Sequence, residues 1–143
     1  MRGANGLSSD EMRRLLRDNP ADQTIHRVVF RLLRELLTLR IRLGATLTYI
    51  DATNLTARER RPWIKIAEWF GCDCEAVYFD IPLDECKRRN AARTRVVPST
   101  AMDKLASRLM SPSFSEGFAA IVRVTTDGER RTIAPPESGA AAR

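Results

Sequence analysis

Leu47-Thr48-Tyr49-Ile50-Asp51-Ala52-Thr53-Asn54 is the stretch whose reading decides the fold. β-Branched and aromatic side chains favour a pleated, half-buried surface, so residues 46–51 are predicted to form a strand. The strand runs into an acid and then a short polar corner. In open α/β sheets ligands bind beyond the carboxyl ends of the strands, and Asp51, Thr53 and Asn54 meet such a ligand if the strand is parallel to its neighbours. The competing reading is structural: Asp51 and Asn54 make an Asx-type turn and nothing more.

Upstream, Ser8 and Glu11 fit a capping box and open a predicted helix that Asp18-Asn19-Pro20 ends near Arg17. A longer helix follows, with Ile25, Val28, Val29, Leu32, Leu33, Leu36, Leu37 and Ile41 at helical spacing and Gly44 as its stop. The single histidine, His26, lies off that stripe and reads as a surface residue. Downstream, Thr56 and Glu59 suggest a second capping box for a helix reaching Phe70 before Gly71. Pro62 implies a kinked or delayed start there. Residues 75–80 read as a strand. Asp84 caps a basic helix to about Arg93, Val96-Val97-Pro98 breaks it, and Ser99 or Thr100 opens another helix to Leu109. Ser111–Gly117 is a loop and residues 119–125 a last strand.

Helices alternating with strands at 46–51, 75–80 and 119–125 predict an α/β fold, a mostly parallel sheet with helices on both faces. The expected division is a loose lead-in over 1–6, one domain over 7–125, and a disordered tail over 126–143, where Gly, Pro, Ala and charge dominate.

The 143 residues carry 24 Lys+Arg against 18 Asp+Glu, a net charge of +6, which points weakly to nucleotides, phosphates or nucleic acid. Genome composition explains an arginine excess equally well. No apolar run approaches the roughly 18 residues of a membrane span, and residues 1–10 lack an apolar signal core, so a cytoplasmic protein without a membrane partner is expected. Cys72, Cys74 and Cys86 are odd in number and lack zinc-site spacing; reduced structural thiols are expected.

Two further landmarks carry possible chemistry. Asp10 stands in a first helical turn with Arg13 one turn on. Such an acid can take a proton from a hydroxyl while the arginine holds a phosphate, although carboxylates are common at helix starts for dipole reasons alone. On the basic helix, Arg89 and Arg93 are four apart, with Arg95 beyond, and guanidinium forks suit a transferring phosphoryl group. A solvated charged face is the plainer reading.

Five segments occur in the order and spacing of one family. They are Leu7-Ser8-Ser9-Asp10-Glu11-Met12-Arg13, Asp51-Ala52-Thr53-Asn54-Leu55-Thr56, Phe79-Asp80-Ile81-Pro82, Arg89-Asn90-Ala91-Ala92-Arg93 with Val97-Pro98, and Glu116-Gly117-Phe118. Over residues 7–124 the chain resembles the P-loop polynucleotide kinases, the 5′-hydroxyl kinases of nucleic-acid repair, and related small bacterial ATP-binding proteins. The resemblance implies a three-layer αβα P-loop NTPase fold and phosphoryl transfer from ATP, with Mg2+, to a hydroxyl, with nucleotide and nucleic-acid 5′ ends as partners. It implies Asp10 as general base and Arg13 on the acceptor-side phosphate. Asp51 would organise magnesium, and Thr53 and Asn54 would line the crevice. Arg93 would be the lid arginine on the donor phosphates, supported by Arg89 and Asn90. Arg95 and Val97 would fall on the acceptor side.

The departure is the phosphate cradle. The family's G-x-x-x-x-G-K-[ST] loop is absent from this sequence, and Gly3 and Gly6 are followed by no Lys-Ser or Lys-Thr. The incomplete fold suggests an N-terminally truncated kinase, with the missing loop encoded just upstream. A non-catalytic relict that binds nucleic acid or a partner through its arginines is the alternative, and a subunit completed by a partner's strand a third.

Overall fold

The computed structural model describes residues 5–135. The protein is a mixed α/β chain with five α-helices and two small sheets, consistent with a partial P-loop NTPase-like αβα fold. It divides into two compact units, Met1–Thr53 and Asn54–Arg143.

In the first unit, β1 (Gly6–Ser8) pairs in parallel with β2 (Tyr49–Asp51), in the register Gly6↔Tyr49, Leu7↔Ile50 and Ser8↔Asp51. The strand expected over 46–51 is thus shortened to its last three residues. Strand β1 takes Gly6 from the expected lead-in and Leu7–Ser8 from the expected helix opening, and is too short to show an alternating pattern. Helix α1 (Ser9–Arg17) starts behind Ser8, whose hydroxyl accepts the Glu11 N–H at 3.5 Å. The reciprocal half of the capping box is not made, because the Glu11 carboxylate accepts from Arg14 instead. Helix α2 (His26–Arg42) buries Val29, Leu33 and Leu37, a seam narrower than the predicted stripe; Val28 and Leu36 are exposed. It packs on α1 and β1. Its end is a Schellman closure: Gly44 at φ 81°, Ala45 N–H to the Arg40 carbonyl, and Gly44 N–H to the Ile41 carbonyl. His26 is exposed and lies 4.4 Å, centroid to centroid, from the Phe30 ring.

In the second unit, α3 (Ala57–Phe70) begins at once behind the Thr56 cap, so Pro62 does not delay it. The N–H that proline lacks would have bonded the carbonyl of Arg58, an exposed residue. Strands β3 (Glu75–Phe79) and β4 (Ala120–Val124) pair in parallel, and β5 (Arg130–Ile133) adds antiparallel to β4. The disordered tail expected from Thr126 is therefore corrected: a turn and β5 occupy its first part, and residues 136–143 lie outside the described residues. Every β5 side chain is exposed and three are polar, so the strand is held by the ladder to β4 and leaves no apolar alternation to read.

Helix α4 (Leu83–Ala91) is N-capped by Pro82 without a side-chain bond, and Asp84 lies inside its first turn rather than capping it. Helix α5 (Ser99–Arg108) follows Pro98, and a 3-10 turn over Phe114–Glu116 interrupts the expected loop. The core gathers Ile64 of α3 with Phe118 and Ile121, flanked by Cys74, Ala76, Tyr78 and Phe114. Gly117 permits this approach. At φ 111° it has the left-handed backbone that favours glycine, and a Cβ there would lie 2.9 Å from an Ile64 methyl. All three cysteines are free; burial, with Glu68 and Glu75 nearby, raises the Cys74 thiol to about 11.

Candidate functional site

The first unit concentrates its candidate groups at one end of its sheet. Parallel pairing sets Ser8 level with Asp51, so Asp10 in the first turn of α1 and Asp51 at the end of β2 both follow the carboxyl ends of adjacent strands. Both carboxylates are exposed, as is Thr53. Arg13 is buried. Its Nη1 donates to Asp10 Oδ1 at 3.0 Å and its Nη2 to Gln23 Oε1 at 3.4 Å, while its Nε has no partner among the described residues. The guanidinium therefore braces Asp10 from the interior side.

Asn54 belongs to the second unit and is committed there. At φ 44° it turns the chain, its Oδ1 accepts the Trp63 indole N–H at 3.0 Å, and its carbonyl accepts from Arg60. The polar corner is thus an anchor for α3 at Asn54.

The basic segment is sorted residue by residue. Helix α4 stops at Ala91, so Arg93 stands on the following loop and shares no helical face with Arg89, as the expected helix to Arg93 required. Glu85 accepts from Arg88 and Arg89, both at 2.6 Å through Nε, and these two hydrogen bonds, Arg88's first, hold its carboxyl down near 2. Arg89 Nη2 also donates to the Thr126 carbonyl at 2.8 Å. Lys87 pairs with Asp103 at 2.7 Å. Arg93 and Arg95 are exposed and have no carboxylate partner among the described residues. Asn90 is buried, and its amide binds the backbone of half-buried Val97 on both sides.

The residues that sequence reasoning passed over are Arg60 and its partner Glu116. Arg60 Nε and Nη2 each lie 2.8 Å from a different Glu116 oxygen, and Nη1 reaches the carbonyls of Asn54, Leu55 and Met110. A signal existed: Arg60 precedes Trp63 and Ile64 by one helical turn, a charge set on the apolar face.

Chemically, the first unit offers an exposed, braced carboxylate able to accept a proton, and the second offers two open guanidiniums. Residues 1–112 match a family described as an AAA domain.

The chain belongs to that AAA domain family.

Its members are P-loop NTPase-like kinases, and the assignment fits the strand-to-acid junctions at Ser8–Asp10 and Asp51. No curated protein matches the chain. Among the described residues of this AAA domain, no three His, Cys, Asp or Glu side chains gather as a metal cluster. Asp51 alone fits Mg2+, an ion that keeps several waters and accepts one protein carboxylate beside substrate phosphates. For ATP, the open Arg93 and Arg95 fit phosphate charge, whereas no G-x-x-x-x-G-K-[ST] cradle stands in the sequence. No described helix is long and apolar enough to cross a membrane.

Proposed function

We propose that the chain carries the acceptor side and the lid of an ATP-dependent phosphotransferase of the polynucleotide 5′-hydroxyl kinase type. The observation that supports it best is the parallel register of β1 and β2, which brings Asp10 and Asp51 to the carboxyl ends of adjacent strands. Asp10 accepts the proton of the attacking hydroxyl, and Arg13 keeps that carboxylate oriented through the 3.0 Å bond. Asp51 would hold Mg2+, and the ion would supply charge neutralisation on the phosphates. Thr53 contacts the acceptor. Within the second unit Arg93 neutralises the donor phosphates, and Arg89 is fixed by Glu85 and Thr126.

The cradle lysine and its amide nest are not in residues 1–143, and a single donor of that kind is worth roughly 3 kcal/mol, two orders of magnitude in rate. The polypeptide alone is therefore expected to transfer phosphate slowly. The test follows label from γ-labelled ATP to a 5′-hydroxyl oligonucleotide, in wild type and D10N. Slow transfer that D10N removes supports the reading. Transfer at ordinary kinase rates refutes the expected weakness, and transfer indifferent to D10N refutes the assigned base. Salt-steep oligonucleotide binding with no transfer at all identifies a binding relict instead.

A further inference from the structure

Asn90 is only 7% exposed, yet every residue from Ala91 to Val96 is exposed. The contrast arises because its side chain behaves as a peptide unit. Nδ2 donates to the Val97 carbonyl at 2.8 Å, and Oδ1 accepts the Val97 N–H at 3.0 Å. The Asn90 backbone also participates, its carbonyl accepting the Arg93 N–H at 3.0 Å. One residue thus holds both ends of the 91–96 loop. Beyond Val97 the anchor is firm, since Pro98 stands at φ −55° and caps α5.

What the loop displays is selective. The cations that precede it are each paired where they stand, Lys87 with Asp103, and Arg88 and Arg89 with the one carboxylate of Glu85. Arg93 and Arg95, on the clasped loop, have no carboxylate among the described residues. Two like charges two residues apart in sequence repel, and a clasped loop that carries both without an acid suits an anion of more than one charge. Holding such a loop in its binding shape removes ordering entropy from the binding step.

We infer that Asn90 is a positioning residue rather than a nucleotide ligand. Its amide clasps Val97 so that Arg93 and Arg95 form a two-guanidinium receptor for a condensed polyphosphate. The inference rests on the reading of this loop as the one that meets donor phosphates. It goes beyond that reading in giving the Asn90 amide the clasp on Val97 and in setting Arg95 beside Arg93 on the donor phosphates.

The experiment titrates the full chain with tripolyphosphate and, separately, with inorganic phosphate at fixed ionic strength, in wild type, N90A, N90D and R93A/R95A. Amide hydrogen exchange at Val97 and along β4 accompanies each titration. Expected are tripolyphosphate binding that R93A/R95A abolishes and a loss of about tenfold in N90A. N90D keeps the acceptor for the Val97 N–H but sets a carboxylate oxygen against the Val97 carbonyl and adds a negative charge to the anion-binding loop, and should lose at least as much. Inorganic phosphate, which needs one guanidinium, should bind N90A as it binds wild type, a split that a general loss of structure would not produce. Val97 should lose protection in N90A while β4 keeps it.

If R93A/R95A abolishes binding and N90A binds as wild type, the clasp is overturned and the lid reading survives. If R93A/R95A binds tripolyphosphate as well as wild type, or wild type binds none, the lid reading itself fails. Equal affinity for both anions in wild type overturns the polyphosphate class. Loss of β4 protection in N90A overturns the positioning role, because Asn90 would then hold the unit rather than the loop.

Discussion

Among the described residues each unit buries one arginine, and the two are kept in opposite ways. Arg60 in the second unit is 8% exposed at its side chain and faces Glu116 at 12%, with two parallel N–H···O bonds and three carbonyls around the remaining nitrogen. Arg13 in the first unit is 5% exposed, but its carboxylate partner Asp10 is 61% exposed, and Arg13 Nε stays unpaired among the described residues. A buried charge is tolerable when its donors are satisfied, which Arg60 achieves and Arg13 does not. The saturated arginine belongs to the architecture, tying α3 to the segments around Leu55, Met110 and the 3-10 turn. The under-satisfied one sits behind an exposed acid at the end of a parallel strand pair, where unspent hydrogen bonding marks functional sites.

The sharpest way to break this contrast is at Arg60. Substitution R60A leaves Glu116 interior without its partner and three carbonyls without their donor, and is expected to cost the second unit about 3–5 kcal/mol. The doubly apolar R60M/E116L should recover much of that loss, because two apolar groups replace a desolvated pair without stranding a charge. Urea unfolding followed through Trp63, buried in this unit, provides the measurement. A loss under about 1 kcal/mol for R60A would remove the saturated pair from the architecture.

At Arg13 the same operation should give an asymmetric and smaller answer. In D10A the buried guanidinium loses its carboxylate, at a cost of roughly 1–3 kcal/mol. In R13M the carboxylate left behind is already in water, and a flexible apolar side chain fills the interior position, so stability should change by less than about 1 kcal/mol. Thermal unfolding of the two variants compares them directly. A larger loss in R13M than in D10A would show that Arg13 is held as Arg60 is, by a network that needs its charge.

Much of the first unit was legible, and the reason is locality. Ser8 caps Glu11 three residues away, the α2 seam repeats every four residues at Val29, Leu33 and Leu37, and Gly44 closes the helix on Ile41 and Arg40. The strands β3 and β4 were legible for the same reason, each being a local run rich in β-formers, with alternate residues of β3 half-buried. What escaped were features whose partners are far along the chain or whose residues carry no pattern. Arg60 meets Glu116 across 56 residues and Met110 across 50, so its place on an apolar face was the only trace. β5 has polar and charged side chains, and β1 is three residues long. At the candidate site, Asp51 was readable from a strand-to-acid junction and Asp10 from its place in a first helical turn. The commitments of Asn54 to Trp63 and of Asn90 to Val97 were not, because an amide's partner depends on where the fold returns.

The smallest expected effect is on acid, and it separates the units without mutating either arginine. Burial alone pushes the Glu116 carboxyl up; the Arg60 hydrogen bonds, the Ser113 N–H and the Arg60 charge together outweigh it and hold the group below its ordinary 4.5. A carboxyl whose folded value is depressed binds protons more readily when unfolded. Its stabilisation is therefore complete above 4.5 and drains away as pH falls from there through the folded value. Melting followed at Trp63 should fall as pH drops below 4.5 in wild type and fall less steeply in E116Q, which cannot titrate. An identical acid slope in the two proteins would mean that the Arg60–Glu116 pair is only loosely coupled to folding, and the distinction between the two arginines would rest on solvent exposure alone.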